Sequence, residues 1–455
     1  MNKTFLTTSI ALSTTLLLGT SLQAKEHNKH FNFGEKFEKS NQHFKKHNRK
    51  HSNKLPKNYN EYKSGIISAD TLDDYIKNWN MEDHDGGKLI IVQAGSTSDG
   101  QFLQSQDERG VYVYPIGDEG ACDPSYMRHD GFSQNPAALL SGAYTNGMIN
   151  QFNMNPEKDF VVFAVGKSST GMRGVVRSYW VLKYWGWDES RLGFLNGSVS
   201  YNYQDKQDKL GSVTPYPTSF TNYTMQDAKN KDGAKLHIYL KDMMDIAAKD
   251  DKKGYFIADS RGTSEYNGEV LPKSVENNCG VSGTEQCYGS FRGHIRGATD
   301  VPYTDFLIMD DQKGDINGDG IIDSNDSSFK FQKPRKVKRI LKQKGYKKGD
   351  KIITYCRTGR KATLLNVLAM DVLKAEVQMF DGSWMQWGQM SNSTDVNGNQ
   401  ILPDDSIWRT DTDKYSVNLG YTDSLSTQSK DIFLFNLDAT TSDAIHDEDV
   451  DFLNN

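Results

Sequence analysis

The segment Lys351–Thr363, KIITYCRTGRKAT, constrains this chain more than any other. Ile352, Ile353, Thr354 and Tyr355 form a short apolar, β-branched run that reads as a buried strand. Cys356 follows at once, then a turn of Arg357, Thr358, Gly359, Arg360 and Lys361, and then Ala362–Leu373, which reads as a helix. The cysteine therefore sits where a strand ends and a helix begins. A helix start offers unpaired backbone N–H groups and the positive end of the dipole. With three basic side chains beside it, such a unit is built to hold an anion or a charged sulfur, and the thiolate is the nucleophilic form of cysteine. An inert structural cysteine is the alternative, but that reading calls for apolar neighbours that this turn lacks.

At 455 residues the chain has room for two or three domains. A net charge of -5 argues against a general nucleic-acid binder. Met1–Ala24 reads as a secretory signal peptide, with Lys3 in the basic region, Ile10–Gly19 as an apolar stretch too short to span a bilayer, and small-residue cleavage after Ala24. An uncleaved anchor is the other reading. The mature protein is expected to be exported, periplasmic or secreted, with no membrane span. Residues 25–60 read as a disordered basic leader, and His27, His30, His43, His47 and His51 within it define no closed metal set.

Residues 65–203 read as a first folded unit. A helix is expected over Thr71–Trp79, strands over Lys88–Gln93 and Asp159–Val165, a small-residue turn over Gly166–Gly171, and a helix over Met172–Trp185, before a strand that ends at Asn196-Gly197. This order repeats around Cys356 and Asp381-Gly382, as an internal duplication would. The position matching Cys356 is Gly166 or Lys167, so the first unit has no thiol at that place and reads as structural support. Residues 204–235 read as a linker, 236–415 as the second domain, and 416–455 as a mobile acidic tail. Within the second domain, Leu240–Lys249 reads as a helix, Tyr255–Ala258 as a strand and Pro334–Gly345 as a basic amphipathic helix.

Four motifs follow one another there: Asp259-Ser260-Arg261 with Glu265-Tyr266 and Gly268; Gly293-His294-Ile295-Arg296-Gly297-Ala298; the Cys356 loop; and Asp381-Gly382-Ser383-Trp384. In this order and at these spacings they resemble the rhodanese (sulfurtransferase) superfamily. The resemblance implies an α/β fold of two tandem rhodanese-like domains, each a mostly parallel sheet with helices on both faces, the first inactive and the second catalytic. It implies Cys356 as the sulfur-carrying nucleophile and Arg357, Thr358, Gly359, Arg360, Lys361, Ala362 and Arg261 as the substrate-binding set. Asp259 is implied as support for the loop. His294 reads as a structural histidine bonding its own turn, with general base as the other role. Glu265 departs from the animal thiosulfate enzymes, which place an arginine there, and so leaves the donor open.

The implied reaction is a ping-pong sulfur transfer. Cys356 attacks the outer sulfur of an anionic donor, thiosulfate first because the loop is basic. The resulting persulfide then passes sulfur to cyanide, a thiol or a protein cysteine. Two rivals stand beside it. A cysteine phosphatase needs an arginine six positions after the cysteine, where this chain has Ala362. An exported, calcium-stabilised sulfur- or metalloid-binding protein would carry sulfur without turnover.

Asp315–Asp326, DINGDGIIDSND, follows the EF-hand calcium pattern. Asp315, Asn317 and Asp319 stand at positions one, three and five, the Ile321 carbonyl at seven, Asp323 at nine and Asp326 at twelve, and Ile322 is expected to pack inward. An all-oxygen set suits a structural calcium ion. Asp395–Asp405 repeats the pattern only partly. Of the four cysteines, Cys279 and Cys287 lie close in sequence and form the natural disulfide. A Cys122–Cys356 bridge is the alternative that would silence the chemistry.

Overall fold

The computed structural model describes residues 55–95, 101–117, 120, 128–129, 134–135, 138–167, 169–218, 222–228, 233–269, 293–316, 318–392 and 444–454. The expected signal peptide, the leader up to residue 54, Asn317, and Cys122, Cys279 and Cys287 lie outside them. The end of the expected disordered leader is ordered instead: Tyr59–Glu61 form a short 3-10 turn with Tyr59 buried.

The first half builds a five-stranded parallel sheet from β1 (Gly65–Ile67), β2 (Leu89–Ala94), β3 (Val111–Ile116), β4 (Phe160–Val165) and β5 (Leu192–Ser198), in the order β1-β5-β4-β2-β3. Every residue of β2 and β4 is buried, which is why both read as continuous apolar runs: a parallel sheet is covered on both faces. Helix α1 (Ala69–Asn78) starts at Ser68, whose hydroxyl accepts the Thr71 N–H, and its Leu72 covers one face with Ile67, Ile91 and Leu195. Helices α2 (Gly142–Gln151) and α3 (Ser169–Tyr184) cover the other face.

The second half repeats the plan. Strands β6 (His237–Ile238), β7 (Tyr255–Asp259), β8 (Thr299–Asp300), β9 (Lys351–Tyr355) and β10 (Val377–Phe380) pair in parallel in the order β6-β10-β9-β7-β8. Position for position this is the first sheet's order. Helix α4 (Leu240–Ala248) and helix α8 (Ser383–Asn392) lie on one face with Trp384 and Trp387. Helix α6 (Pro334–Gln343), begun by a proline in its first turn, and helix α7 (Arg360–Val367) lie on the other. A single turn of helix, α5 (Thr263–Tyr266), follows β7.

Helices α3 and α7 pack against each other, and one apolar cluster runs from Val161 and Trp180 of the first half to Leu364 and Leu365 of the second. Polar groups cross the same seam: the Tyr179 hydroxyl donates to Asp371 at 2.7 Å, and Lys183 pairs with Asp371 as well. The stretch expected as a linker is tied down too, since Leu210–Gly211 pairs antiparallel with Phe102–Leu103 and Met225 is buried.

Two points go beyond the sequence reading here. Strands β3 and β10 and helices α2 and α8 carry no reading in the sequence: Pro115 within β3 reads against a strand, and β10 has four residues, too few to show a period. The acidic tail is not mobile to its end: Ala444–Asn454 forms helix α9 against the first half. Asp449 of α9 is buried, pairs with Arg128 at 2.6 Å and accepts the Tyr184 hydroxyl at 2.8 Å, while Phe452 meets Trp185 edge-on. An acidic segment reads as solvated until its cation is found, and Arg128 lies 321 residues away. No helix among the described residues is long and apolar enough to cross a membrane.

Candidate active site

Cys356 follows β9 directly, is 1% exposed and is a free cysteine. Its place on the sheet is the one Gly166 holds after β4, where a side chain has no room: a Cβ there would lie 2.2 Å from the Ala94 carbonyl oxygen. The first half thus forms the turn without a thiol.

The Cys356 loop is fixed from below by its carbonyls. The Trp384 N–H donates to the Cys356 carbonyl and the Met385 N–H to the Arg357 carbonyl, both at 3.0 Å, so the first turn of α8 grips the loop. The Cys356 N–H itself reaches the Ser383 hydroxyl at 3.4 Å. Gly359 opens α7 in the left-handed region, φ +81°, and supplies no side-chain cap. The first N–H groups of a helix have no acceptor within it, so an uncapped start is suited to an anion. Ala362 is buried, whereas Arg357, Thr358, Arg360 and Lys361 are part-exposed around the loop.

Beneath Gly359 lies an ion pair between the halves. Arg177 of α3, fully buried, holds Asp381 at 2.5 Å, and the other Asp381 oxygen accepts the Leu139 N–H at 2.8 Å. Burial opposes ionisation of Asp381, but the charge of Arg177, helped by the Leu139 N–H, holds its carboxyl below the usual range. A Cβ on Gly359 would sit 2.7 Å from Asp381 Oδ1. Nearby His237 is buried and kept neutral. Burial pushes it down to about 4, with the Arg177 charge adding to the effect against Asp381, and its Nε2 accepts the Trp180 indole N–H at 3.0 Å.

Arg261 requires a correction. It was expected to bind substrate, yet it is 1% exposed and fully engaged: its guanidinium forks onto Asp259 at 2.5 and 3.0 Å, donates to the Gly293 carbonyl and lies 4.3 Å above the Trp384 ring. A buried fork of this kind braces the loops. Asp259 and Arg261 act together as a structural pair between β7, the 293–298 turn and α8. His294 stacks on Tyr266 with ring centroids 3.9 Å apart, and its Nδ1–H donates to the Tyr266 carbonyl at 2.9 Å.

Glu265 of α5 is the residue the sequence left without a task. It pairs with Arg357 at 2.8 Å and with Lys361 at 3.4 Å. Burial opposes its ionisation, but Lys361, Arg357 and Arg261 together hold its carboxyl at about 2. Lys361 also sits 5.6 Å from the Tyr303 ring centroid. Two of the loop's cations are therefore matched by one carboxylate.

In the 315–326 loop the carboxylates face their own backbone. Asp315 accepts the N–H groups of Gly318, Asp319 and Gly320; Asp319 accepts that of Ile321; buried Asp326 accepts those of Ile316 and Asp323. Asp323 caps the turn at Asn325. Ile322 does not pack inward as expected and is 64% exposed. The oxygen donors fit a hard cation chemically, but no group of three carboxylates, histidines or cysteines converges among the described residues.

A family model described as Rhodanese-like domain matches residues 239–390. The chain is 24% identical over 223 residues to a Haloferax volcanii protein provisionally named a thiosulfate sulfurtransferase, covering 49% of this chain and 64% of that protein. It is 21% identical over 232 residues to the 3-mercaptopyruvate sulfurtransferase of Homo sapiens, covering 50% of this chain and 63% of that protein. The chain thus spans less than two thirds of either relative's length. The crystal structure of the Tum1 protein from Saccharomyces cerevisiae matches with a TM-score of 0.52 at 13% identity, over 72% of this chain and 95% of that one, a likeness of fold.

Proposed function

We propose, for a chain whose residues 239–390 match a rhodanese-like domain model, a sulfurtransferase that moves sulfane sulfur through a persulfide on Cys356. One observation carries the reading: a free, buried cysteine directly follows β9, and the turn it opens leads through part-exposed Arg357, Arg360 and Lys361 into the uncapped start of α7. The names of the two sulfurtransferase relatives support it.

The donor is an anion, with thiosulfate the first to assay because the mouth is basic. The Cys356 thiolate attacks the outer sulfur of thiosulfate. A new S–S bond forms, the old S–S bond breaks, and its electron pair leaves on sulfite. Charge is conserved, since the persulfide inherits the negative charge of the thiolate. The N–H groups at the start of α7 hold that charged terminal sulfur. A thiolate or cyanide then takes the sulfur, and Cys356 is returned as the thiolate.

We further propose that the 315–326 loop takes up a structural calcium ion through Asp315, Asn317, Asp319, the Ile321 carbonyl, Asp323 and Asp326, and that the protein works outside the cytoplasm. The spacing of oxygen donors and the Met1–Ala24 segment support these two readings. Mass spectrometry after treatment with thiosulfate tests the main one. A gain of one sulfur atom on Cys356, lost on adding cyanide and absent from Cys356→Ser, is the expected result. Labelled protein without turnover would leave a sulfur carrier instead.

A further inference from the structure

We propose that Glu265 sets the charge selectivity for the sulfur donor: by offsetting part of the basic mouth it narrows the advantage of a dianion over a donor with a single negative charge. The inference rests on the sulfur-transfer reading of Cys356.

A count of loop residues gives three cations facing a donor. The geometry gives fewer. Glu265 Oε1 holds the Arg357 guanidinium by two contacts, 2.8 and 3.3 Å, and its Oε2 lies 3.4 Å from Lys361 Nζ. The carboxylate is fixed from its own side: Oε2 also accepts the Gly262 N–H at 3.4 Å, and Glu265 is 7% exposed. Arg357 and Lys361 keep 23% and 19% of their side chains exposed, so an incoming anion meets both while they are still bound to Glu265. The trio presents one net positive charge where Arg357 and Lys361 alone would present two.

Coulomb energy scales with the product of the charges. Removing the negative charge of Glu265 therefore helps every anionic donor, and helps a dianion about twice as much on a logarithmic scale as a monoanion. Thiosulfate is a dianion. 3-Mercaptopyruvate carries one carboxylate; when Cys356 takes its sulfur, the C–S bond breaks, and the carbon keeps the electron pair and receives the thiol proton to give pyruvate. A gain of about tenfold for the monoanion then predicts about a hundredfold for the dianion, and the ratio between them rises about tenfold. The effect must shrink in high salt, because the mouth is open to solvent.

The test compares the full-length wild-type chain with Glu265→Gln and Glu265→Asp. It measures kcat/KM for thiosulfate and for 3-mercaptopyruvate, with cyanide as acceptor, at low and high salt. The expected result is a thiosulfate-to-mercaptopyruvate ratio that rises about tenfold in Glu265→Gln, falls back in high salt, and stays near the wild-type value in Glu265→Asp. An unchanged ratio in a folded Glu265→Gln protein overturns the proposal. If that variant does not fold, Lys361→Gln carries the test in reverse: removal of a paired cation must lower the ratio, and a ratio that stays put again overturns it. A wild-type protein that gains no sulfur from either donor overturns the sulfur-transfer reading itself, a result distinct from an unchanged ratio.

Discussion

Arg177 and Asp381 belong to opposite halves of the chain and meet at 2.5 Å beneath the turn that carries Cys356. Gly359 rests on both: a Cβ there would lie 2.7 Å from the aspartate and 3.0 Å from the guanidinium. The half that carries Gly166 in place of the cysteine therefore helps set the height of the Cys356 loop in the other half.

Arg177→Met leaves Asp381 buried without its cation. A buried charge that loses its partner costs about 3–5 kcal/mol. The expected outcome in urea unfolding is a large fall in stability, together with slower persulfide formation. The double variant Arg177→Met with Asp381→Asn should recover much of the stability, since neither charge is then left alone. Equal losses in the single and double variants would show that the pair does not act as a unit.

Gly359→Ala tests the turn rather than the charge. The residue holds φ +81°, where a side chain costs about 1–2 kcal/mol. The new methyl group also presses on Asp381. A turn displaced by even a fraction of an ångström should lower the rate of sulfur transfer at least tenfold, with only a modest fall in Tm. Wild-type kinetics in this variant would mean that the loop tolerates movement.

His237 makes stability sensitive to acid. Burial holds its folded value at about 4, below the ordinary 6.5, so the folded state binds fewer protons than the unfolded chain between these values. Stability is full above about 6.5 and falls as the pH drops toward 4, by about 3 kcal/mol in the limit. Glu265 acts in a lower window, because its carboxylate is held at about 2 and its contribution is lost only as the pH falls below the ordinary 4.5. Thermal unfolding followed from pH 7 to 4 should show the decline, and His237→Gln, which can still accept from Trp180, should flatten it.

Calcium binding at the 315–326 loop has a simple readout. The ion would share the Asp315 carboxylate with the N–H groups of Gly318 and Gly320, which already orient it. Millimolar calcium should raise Tm by several degrees over protein in EGTA, as any ligand specific for the folded state does. Asp315→Asn should weaken that response. The same Tm in both buffers would leave the loop as a turn held by its own carboxylates.

Several elements were legible from consecutive residues. The apolar run of β4, the strand of Ile352–Tyr355, the helix after Gly359 and the amphipathic α6 each carry a local pattern of burial or a local start signal. Strand β10 does not, because four residues show no periodicity that separates a strand from a loop. Helix α9 hid behind its acidic residues, and Arg261 passed for a substrate ligand because its motif says nothing of its exposure.

What the chain order determined by itself is the local unit of strand, cysteine, basic turn and helix, in which every contributing group is a near neighbour along the backbone. What only the tertiary structure decided is the electrostatic setting of that unit. Glu265 reaches Arg357 across 92 residues, and Arg177 comes to Asp381 from the other half of the chain. Charges act through space and are strengthened by burial, so their partners follow from packing and not from sequence distance.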